Sequence, residues 1–338
     1  VKKIAHGIYK FSSSWTGTVI IVLFLIFFVA QSFVIPSGSM KRSLLIGDFL
    51  FAKKFAYGIP TPHLPWLEMP LLPDFNGNGH LIEGPKPQRE DIVIFRYPKN
   101  EKIHYVKRCV AVGGDEILFA NNKLLIHFHE GDTYITKNYP KEKIRELRGK
   151  LWVENPYKDK YPGIQYEPES GDIFENLLNH YIFERSIDMI PVYVKNLDTP
   201  IYGPTTKEGY YTKLNTPPST IDFRLFNALY KKVEEDHFYM IGDNRDNSND
   251  SRFWGSVPYK LIVGKPWLIY MSLEHRSYDQ ILNGNGGGKD HAGLKRVCGN
   301  IPIDSKECKV LWEKQRYTVR WGRVGRRIDS IQLEQPIQ

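Results

Sequence analysis

The chain has 338 residues and a mass of 39.3 kDa, room for about two ordinary domains or one domain with a large insertion. Hydrophobic residues at 41% and charged residues at 25% exclude a wholly disordered chain, and a mean hydropathy of −0.40 excludes a polytopic membrane protein while leaving room for one membrane segment. The net charge of +8 suggests a nucleic-acid footprint at first, but residues 289–327 hold eleven Lys/Arg against four acids, so the rest of the chain is near neutrality. A basic stretch of that kind suits a solvated face, an anionic membrane surface or a translocated substrate as well as nucleic acid. Three cysteines are too few for a disulfide scaffold, and no Cys-x-x-Cys pair offers a zinc site.

Trp15–Ile35 carries no charge and is built on Val19-Ile-Ile-Val-Leu-Phe-Leu-Ile-Phe-Phe-Val-Ala30. About twenty apolar residues cross a bilayer at 1.5 Å rise each, so the run predicts a transmembrane anchor with Trp15 at one interface. A cleavable signal peptide fits less well, because Phe28 stands where a small residue would be needed two positions before Ala30. Lys2, Lys3 and Lys10 before the segment are balanced by Lys41, Arg42, Lys53 and Lys54 after it. Orientation therefore rests on the short basic N-terminus preceding a long hydrophilic domain, which places residues 36–338 outside the cytoplasm.

After the anchor, Leu44–Lys53 reads as a strand entered by a Gly47-Asp48 turn, and the Pro- and Gly-rich Tyr57–Gly79 as an irregular loop. Within that loop Leu64–Leu72, with Trp66, is apolar enough to dip into a membrane interface. Asp91–Phe95 and Lys102–Val112 read as strands. From about 120 to 236 the composition turns polar and rich in Tyr and Pro, and Phe223, Phe226, Leu229, Tyr230 and Val233 fall at helical spacing. Asn283–Lys289 reads as a flexible linker or hairpin tip, and Val310–Trp312 and Tyr317–Trp321 as strands. Cys298 and Cys308 are ten residues apart across an expected hairpin, which permits a disulfide, while Cys109 reads as a buried free thiol.

Three segments can carry chemistry. Ile35-Pro-Ser-Gly-Ser-Met40 places a serine at a Gly-preceded turn, but a hydroxyl needs a base to become a nucleophile, and most such triplets are only turns. In Ile103-His-Tyr-Val-Lys-Arg-Cys-Val-Ala111 strict alternation puts Ile103, Tyr105, Lys107, Cys109 and Ala111 on one largely apolar face. Burial there would lower the pKa of Lys107 towards that of a general base, whereas an edge-strand lysine would snorkel to water. Gly242-Asp-Asn-Arg-Asp-Asn-Ser-Asn-Asp-Ser-Arg-Phe-Trp-Gly255 is a tight loop able to hold a hydroxyl or an ion pair in place. It offers hard oxygen ligands but lacks the glycine and closing glutamate of a helix–loop–helix calcium site.

Jointly, Pro36-Ser-Gly-Ser-Met40 after an anchor, Tyr105-Val-Lys-Arg108 on a following strand and Gly242–Arg252 resemble the bacterial type I signal peptidases. The resemblance implies a mainly β fold: an N-terminal transmembrane helix, then a β-rich catalytic domain interrupted by a variable subdomain. On that reading 1–14 is a cytoplasmic N-terminus, 15–35 the anchor, 36–119 and 237–338 the two parts of the catalytic core, and 120–236 the insertion. It further implies Ser39 as nucleophile, Lys107 as general base and the Ser37 hydroxyl in the oxyanion hole. Ser248 would hydrogen-bond and orient the lysine, Asp250 and Arg252 would form a supporting ion pair, and Asp243 and Arg245 would complete that loop. Ile35, Leu44 and Val106 would line the pocket for small residues at −1 and −3. No cofactor or metal is implied. The partners are signal peptides of exported preproteins and the phospholipid bilayer of the inner membrane, without nucleic acid. Two rivals remain: a Ser/Lys protease of the self-cleaving repressor type, and an anchored non-catalytic β-domain that binds exported chains. Lys41-Arg-Ser-Leu44 departs from the family's usual Pro-Thr-Leu, and Arg89-Glu-Asp91 from its Arg-Gly-Asp.

Overall fold

The computed structural model describes residues 6, 9–24, 30–63, 69–166, 173–180, 188–204, 211–214, 225–275, 282, 291–314 and 317–336. Helix α1 (Trp15–Phe24) precedes strand β1 (Ala30–Val34). Gln31 and Ser32 interrupt the apolar run, and β1 pairs antiparallel with β2 (Asp48–Lys53), Ala30 opposite Lys53 and Val34 opposite Phe49. The stretch 15–35 is therefore not one continuous helix, because its C-terminal end is sheet. Among the described residues no helix is long and apolar enough to cross a membrane.

The fold is mainly β. Seven further strands join the first two: β3 (Ile92–Tyr97), β4 (Asn100–Val112), β5 (His237–Ile241), β6 (Val257–Pro258), β7 (Ile262–His275), β8 (Tyr317–Val319) and β9 (Arg326–Arg327). Their order is β1-β2-β7-β3-β4-β5-β6, with β8 and β9 also on β7. The fourteen residues of β7 pair with β3 at their start and with β2 further on, with three register irregularities along the way, so one strand links both halves of the sheet. A second, six-stranded sheet takes its strands in the order 190–192, 228–232, 116–120, 123–127, 150–154, 144–147. The two sheets share a core in which Val110, Ala111, Tyr239 and Ile241 pack with Ile117, Phe119 and Leu229.

Strand β4 pairs with β3 over Asn100–Arg108 and with β5 over Arg108–Val112. Tyr105, Lys107 and Cys109 share one face with Val93 and Phe95, as alternation predicts. The alternation breaks at an irregularity opposite Tyr239 and Met240, where Val110 is the extra residue. Ala111 therefore turns into the other core with Val110, while Cys109 stays among Val93 and Phe95 as a buried free thiol.

Five local expectations change. Ala228–Lys232 is a strand rather than part of a helix: Leu229 faces one core and Ala228 the other, and burial on both faces imitates helical spacing. Phe223 lies outside the described residues, as do Trp66 and the linker 283–289. Val310–Trp312 belongs to a helix, Lys306–Lys314, that buries Cys308 and Trp312 one turn apart. Tyr317–Val319 is a strand, but Trp321–Arg323 turns as a 3-10 helix. Inside Tyr57–Gly79, Gly58–Pro60 pairs with His80–Glu83. Cys298 and Cys308 are disulfide-bonded, joining the helices His291–Cys298 and Lys306–Lys314 rather than two strands.

Candidate active site

The segment from Ile35 to Asp48 is a loop closed at its neck, where Ile35 N–H donates to Asp48 O and Gly47 N–H to Ile35 O, both at 2.9 Å. At its far side Gly38–Met40 forms a single 3-10 turn, with Met40 buried as its anchor. That turn puts Ser39 against β4 with 9% of its surface exposed. Lys107 Nζ donates to Ser39 Oγ at 2.6 Å, bridging 68 positions of sequence. The lysine is 4% exposed, so it does not snorkel to water.

Burial is the main reason the Lys107 ammonium is pushed down to about 8, and nearby Arg252 adds to it while Asp250 and Asp243 oppose it. Its ammonium also lies 5.2 Å from the centre of the Tyr105 ring. A lysine in this state is neutral in a sizeable fraction of molecules near neutral pH. It can then accept a proton from the hydroxyl it contacts. Ser37 Oγ lies 3.3 Å from Ser39 Oγ, at the mouth of the same turn.

The loop after β5 holds this arrangement from behind. Asn244 N–H donates to Ser39 O at 3.1 Å and Asn244 Nδ2 to Gly38 O at 3.2 Å, so one asparagine fixes two carbonyls of the Ser39 turn. Asp250 accepts two hydrogen bonds from the Arg252 guanidinium at 2.8 Å, with both residues fully buried, and accepts Gly242 N–H at 3.1 Å. Arg252 also donates to Arg245 O at 2.6 Å. Burial pushes the Asp250 and Asp243 carboxyls up, but the arginine beside each overrides it and holds both below the usual carboxylate range. For Asp243 that arginine is Arg108, bonded through two nitrogens at 2.8 Å, and Ser43 Oγ donates to the same carboxylate.

The sequence model of the family described as "Signal peptidase, peptidase S26" matches residues 8–271. The chain belongs to the signal peptidase family. Signal peptidase I of Helicobacter pylori is 41% identical over 335 residues, 98% of this chain and 96% of that one. The enzyme of the same name from Buchnera aphidicola, subspecies Acyrthosiphon pisum, is 32% identical over 264 residues, 75% of this chain and 73% of its own length. That of Aquifex aeolicus is 28% identical over 259 residues, covering 75% and 80%. As a signal peptidase the chain is a hydrolase, a serine peptidase of the class that removes signal peptides.

Within this signal peptidase the expected residues stand as follows. Ser37, Ser39 and Lys107 come together, and Asp250 pairs with Arg252. Ile35 and Leu44 are buried in one cluster against which Val106 packs, on the face of β4 opposite Lys107. Ser248 is buried beside the site, but its hydroxyl makes no hydrogen bond to Lys107. Gly242 explains its approach: a Cβ there would lie 2.3 Å from Ser248 Oγ and 2.5 Å from Ser39 O. Asp243 pairs with Arg108, and the backbone N–H of Arg245 reaches Gln165 O at 2.9 Å.

Several supporting residues had no sequence signal of their own. Arg108 takes the opposite face of β4 from Lys107, and Ser43 and Asn244 carry no pattern of their own in the sequence. Gly163 packs so closely that a Cβ would come 2.4 Å from Ser43 Oγ, which brings the region 120–236 directly onto the loop that carries Ser39. Asp115, His129 and Glu130 cluster as potential metal ligands, but the Arg89 guanidinium sits among them, 2.6 Å from Asp115 and 2.8 Å from Glu130.

Proposed function

We propose that this signal peptidase cleaves by a Ser39–Lys107 dyad. Neutral Lys107 takes the proton of Ser39, whose Oγ attacks the carbonyl after the signal sequence. The oxyanion is held by the Ser39 N–H and the Ser37 hydroxyl. Lys107 then protonates the departing amine, and a water that it activates releases the acyl group. The observation that carries this reading is the 2.6 Å contact between a buried lysine amine and a serine hydroxyl. Asp243, Arg245, Ser248, Asp250 and Arg252 keep the two groups in register, Ser248 by restricting the space beside the Ser39 carbonyl.

Substrate selection follows from the sheet. Residues 100–107 of β4 pair only with β3 among the described strands, because β5 begins its pairing at Arg108 opposite Ile241. We assign that unpaired edge to an extended signal peptide running between β4 and β1, whose Phe33 ring lies 5.3 Å from that of His104. Alternation would then send the side chains at −1 and −3 towards Ile35, Leu44 and Val106, which we assign as a pocket for small residues. A substrate with Phe at −1 is expected to be cut poorly, and efficient cleavage of it would refute the small pocket.

The membrane part of the reading rests on Trp15–Phe24 and the apolar residues that follow it to Ala30. We infer a single-pass anchor in the bacterial inner membrane there, with residues 36–119 and 237–338 as an extracytoplasmic core and 120–236 as its insertion. Such an anchor holds the enzyme beside substrates that arrive in the bilayer and raises their local concentration. Resistance to alkaline carbonate extraction, lost when Ile21 and Leu23 are both replaced by Arg, tests it. Release of the unmodified chain by carbonate would contradict the anchor.

A further inference from the structure

The segment after β8 lies beyond the stretch 8–271 matched by the family, yet it reaches the nucleophile loop from two sides. Arg323 is 3% exposed and donates to Asp48 Oδ2 at 2.6 Å and Oδ1 at 3.1 Å. Asp48 is itself fully buried and accepts Ser272 Oγ at 2.6 Å and Leu45 N–H at 2.8 Å, so its carboxylate closes the last turn of the loop. The same guanidinium donates to Ser43 O at 3.2 Å, four residues after the nucleophile. Arg320 donates to Ile46 O and Leu273 O, tying the loop's return to β7.

On the other side, Gln332 Oε1 accepts from Arg108 Nη1 at 3.0 Å. Arg108 holds Asp243, which takes the Ser43 hydroxyl. Between these two contacts, Ile328 and Ile331 of the short helix Ile328–Ile331 pack in one cluster with Ile35, Met40 and Leu44. The loop carrying Ser39 is thus gripped by polar contacts at Ser43, Ile46 and Asp48 and by apolar contacts under Met40 and Leu44. Two arginines of the basic C-terminal stretch are accordingly spent inside the protein rather than displayed as a surface patch.

We propose that residues 320–332 form a brace that sets the position of Ser39 relative to Lys107, with Arg323 as its positioning residue acting through Asp48 and the Ser43 carbonyl. The chemistry favours arginine there: a planar guanidinium can meet both carboxylate oxygens and still reach a backbone carbonyl, whereas a lysine ammonium supplies the charge without that fork. Displacing a reacting atom by about 1 Å can cost on the order of 100-fold in rate, so a loop held from outside the site has a direct route to kcat.

The inference rests on the dyad reading, and the two can fail separately. The full-length protein in detergent is assayed on a signal-peptide substrate, with kcat and KM measured per folded molecule for Arg323→Lys, Arg323→Met and Asp48→Asn/Arg323→Met. The brace predicts a kcat at least about 10-fold lower for Arg323→Met, an intermediate value for Arg323→Lys, and KM within about twofold for both. Should Arg323→Met not fold, Arg323→Lys and the charge-neutral double variant decide. A folded Arg323→Lys or double variant with wild-type kcat, whatever its melting temperature, overturns the brace. If Ser39→Ala is inactive in the same assay, that result leaves the dyad standing; an active Ser39→Ala would instead remove the reading on which the brace depends.

Discussion

Lys107 Nζ and Ser39 Oγ meet at 2.6 Å inside the protein, the lysine on the central part of a strand and the serine on a turn closed at its neck. Neither element could hold the geometry alone. The strand fixes the direction of the lysine stem, and the turn is pinned by Asn244 and Met40.

The amine's displacement to about 8 sets the pH response. The proposed dyad needs neutral lysine, so kcat/KM should rise with pH and level off above about 8. Stability follows the same sign: between about 8 and the ordinary lysine value of 10.5 the unfolded chain holds the proton that the folded chain has lost, so the fold gains stability as pH rises through that window. Lys107→Met should therefore unfold at higher denaturant concentration than the wild type at pH 7, by up to about 3 kcal/mol. A flat activity profile from pH 6 to 9 would argue against the neutral lysine.

Ser37 stands 3.3 Å from the nucleophile oxygen and is assigned to the oxyanion. Ser37→Ala should lower kcat by roughly 100- to 1,000-fold, with KM little changed, because the donor acts on charge that develops only in the transition state. Ser37→Thr, which keeps the hydroxyl, should recover part of the loss. Steady-state kinetics on one substrate peptide reads both.

Gly242 is the tightest steric point behind the dyad. A Cβ there would meet Ser248 Oγ at 2.3 Å and Ser39 O at 2.5 Å, so Gly242→Ala must push the nucleophile turn or the loop after β5 away. The expected result is a kcat loss on the order of 100-fold in a protein that still folds. Circular dichroism with kinetics separates this from unfolding.

The Asp250–Arg252 pair is a stability element as much as a site element. Removing one partner leaves the other charged and fully buried, so Asp250→Asn or Arg252→Met should cost about 3–5 kcal/mol in urea unfolding. Replacing both together should cost less than the sum.

Much of the site could be read from the chain because its residues sit in short, dense segments. Alternation along β4 placed Lys107 beside Tyr105 and Cys109, and the Asp/Asn/Ser content of 242–250 marked a loop that bonds its own backbone. What failed did so for physical reasons. The apolar run 15–35 hid both a helix, Trp15–Phe24, and a strand, Ala30–Val34, since β-strand edges and membrane helices draw on the same residue types. Leu229 and Tyr230 imitated a helix because their strand is buried on both faces. Ser248 is buried beside the site, yet its expected bond to Lys107 is absent. Arg323 and Gln332 gave no local signal, because their partners Asp48 and Arg108 are more than two hundred residues away.

The most direct measurement is cleavage of a purified preprotein by the full-length wild type, Ser39→Ala and Lys107→Met, followed by mass spectrometry of the products. The dyad predicts mature protein and intact signal peptide from the wild type and essentially no product from either variant, both remaining folded. Processing by either variant at near wild-type rate would contradict it.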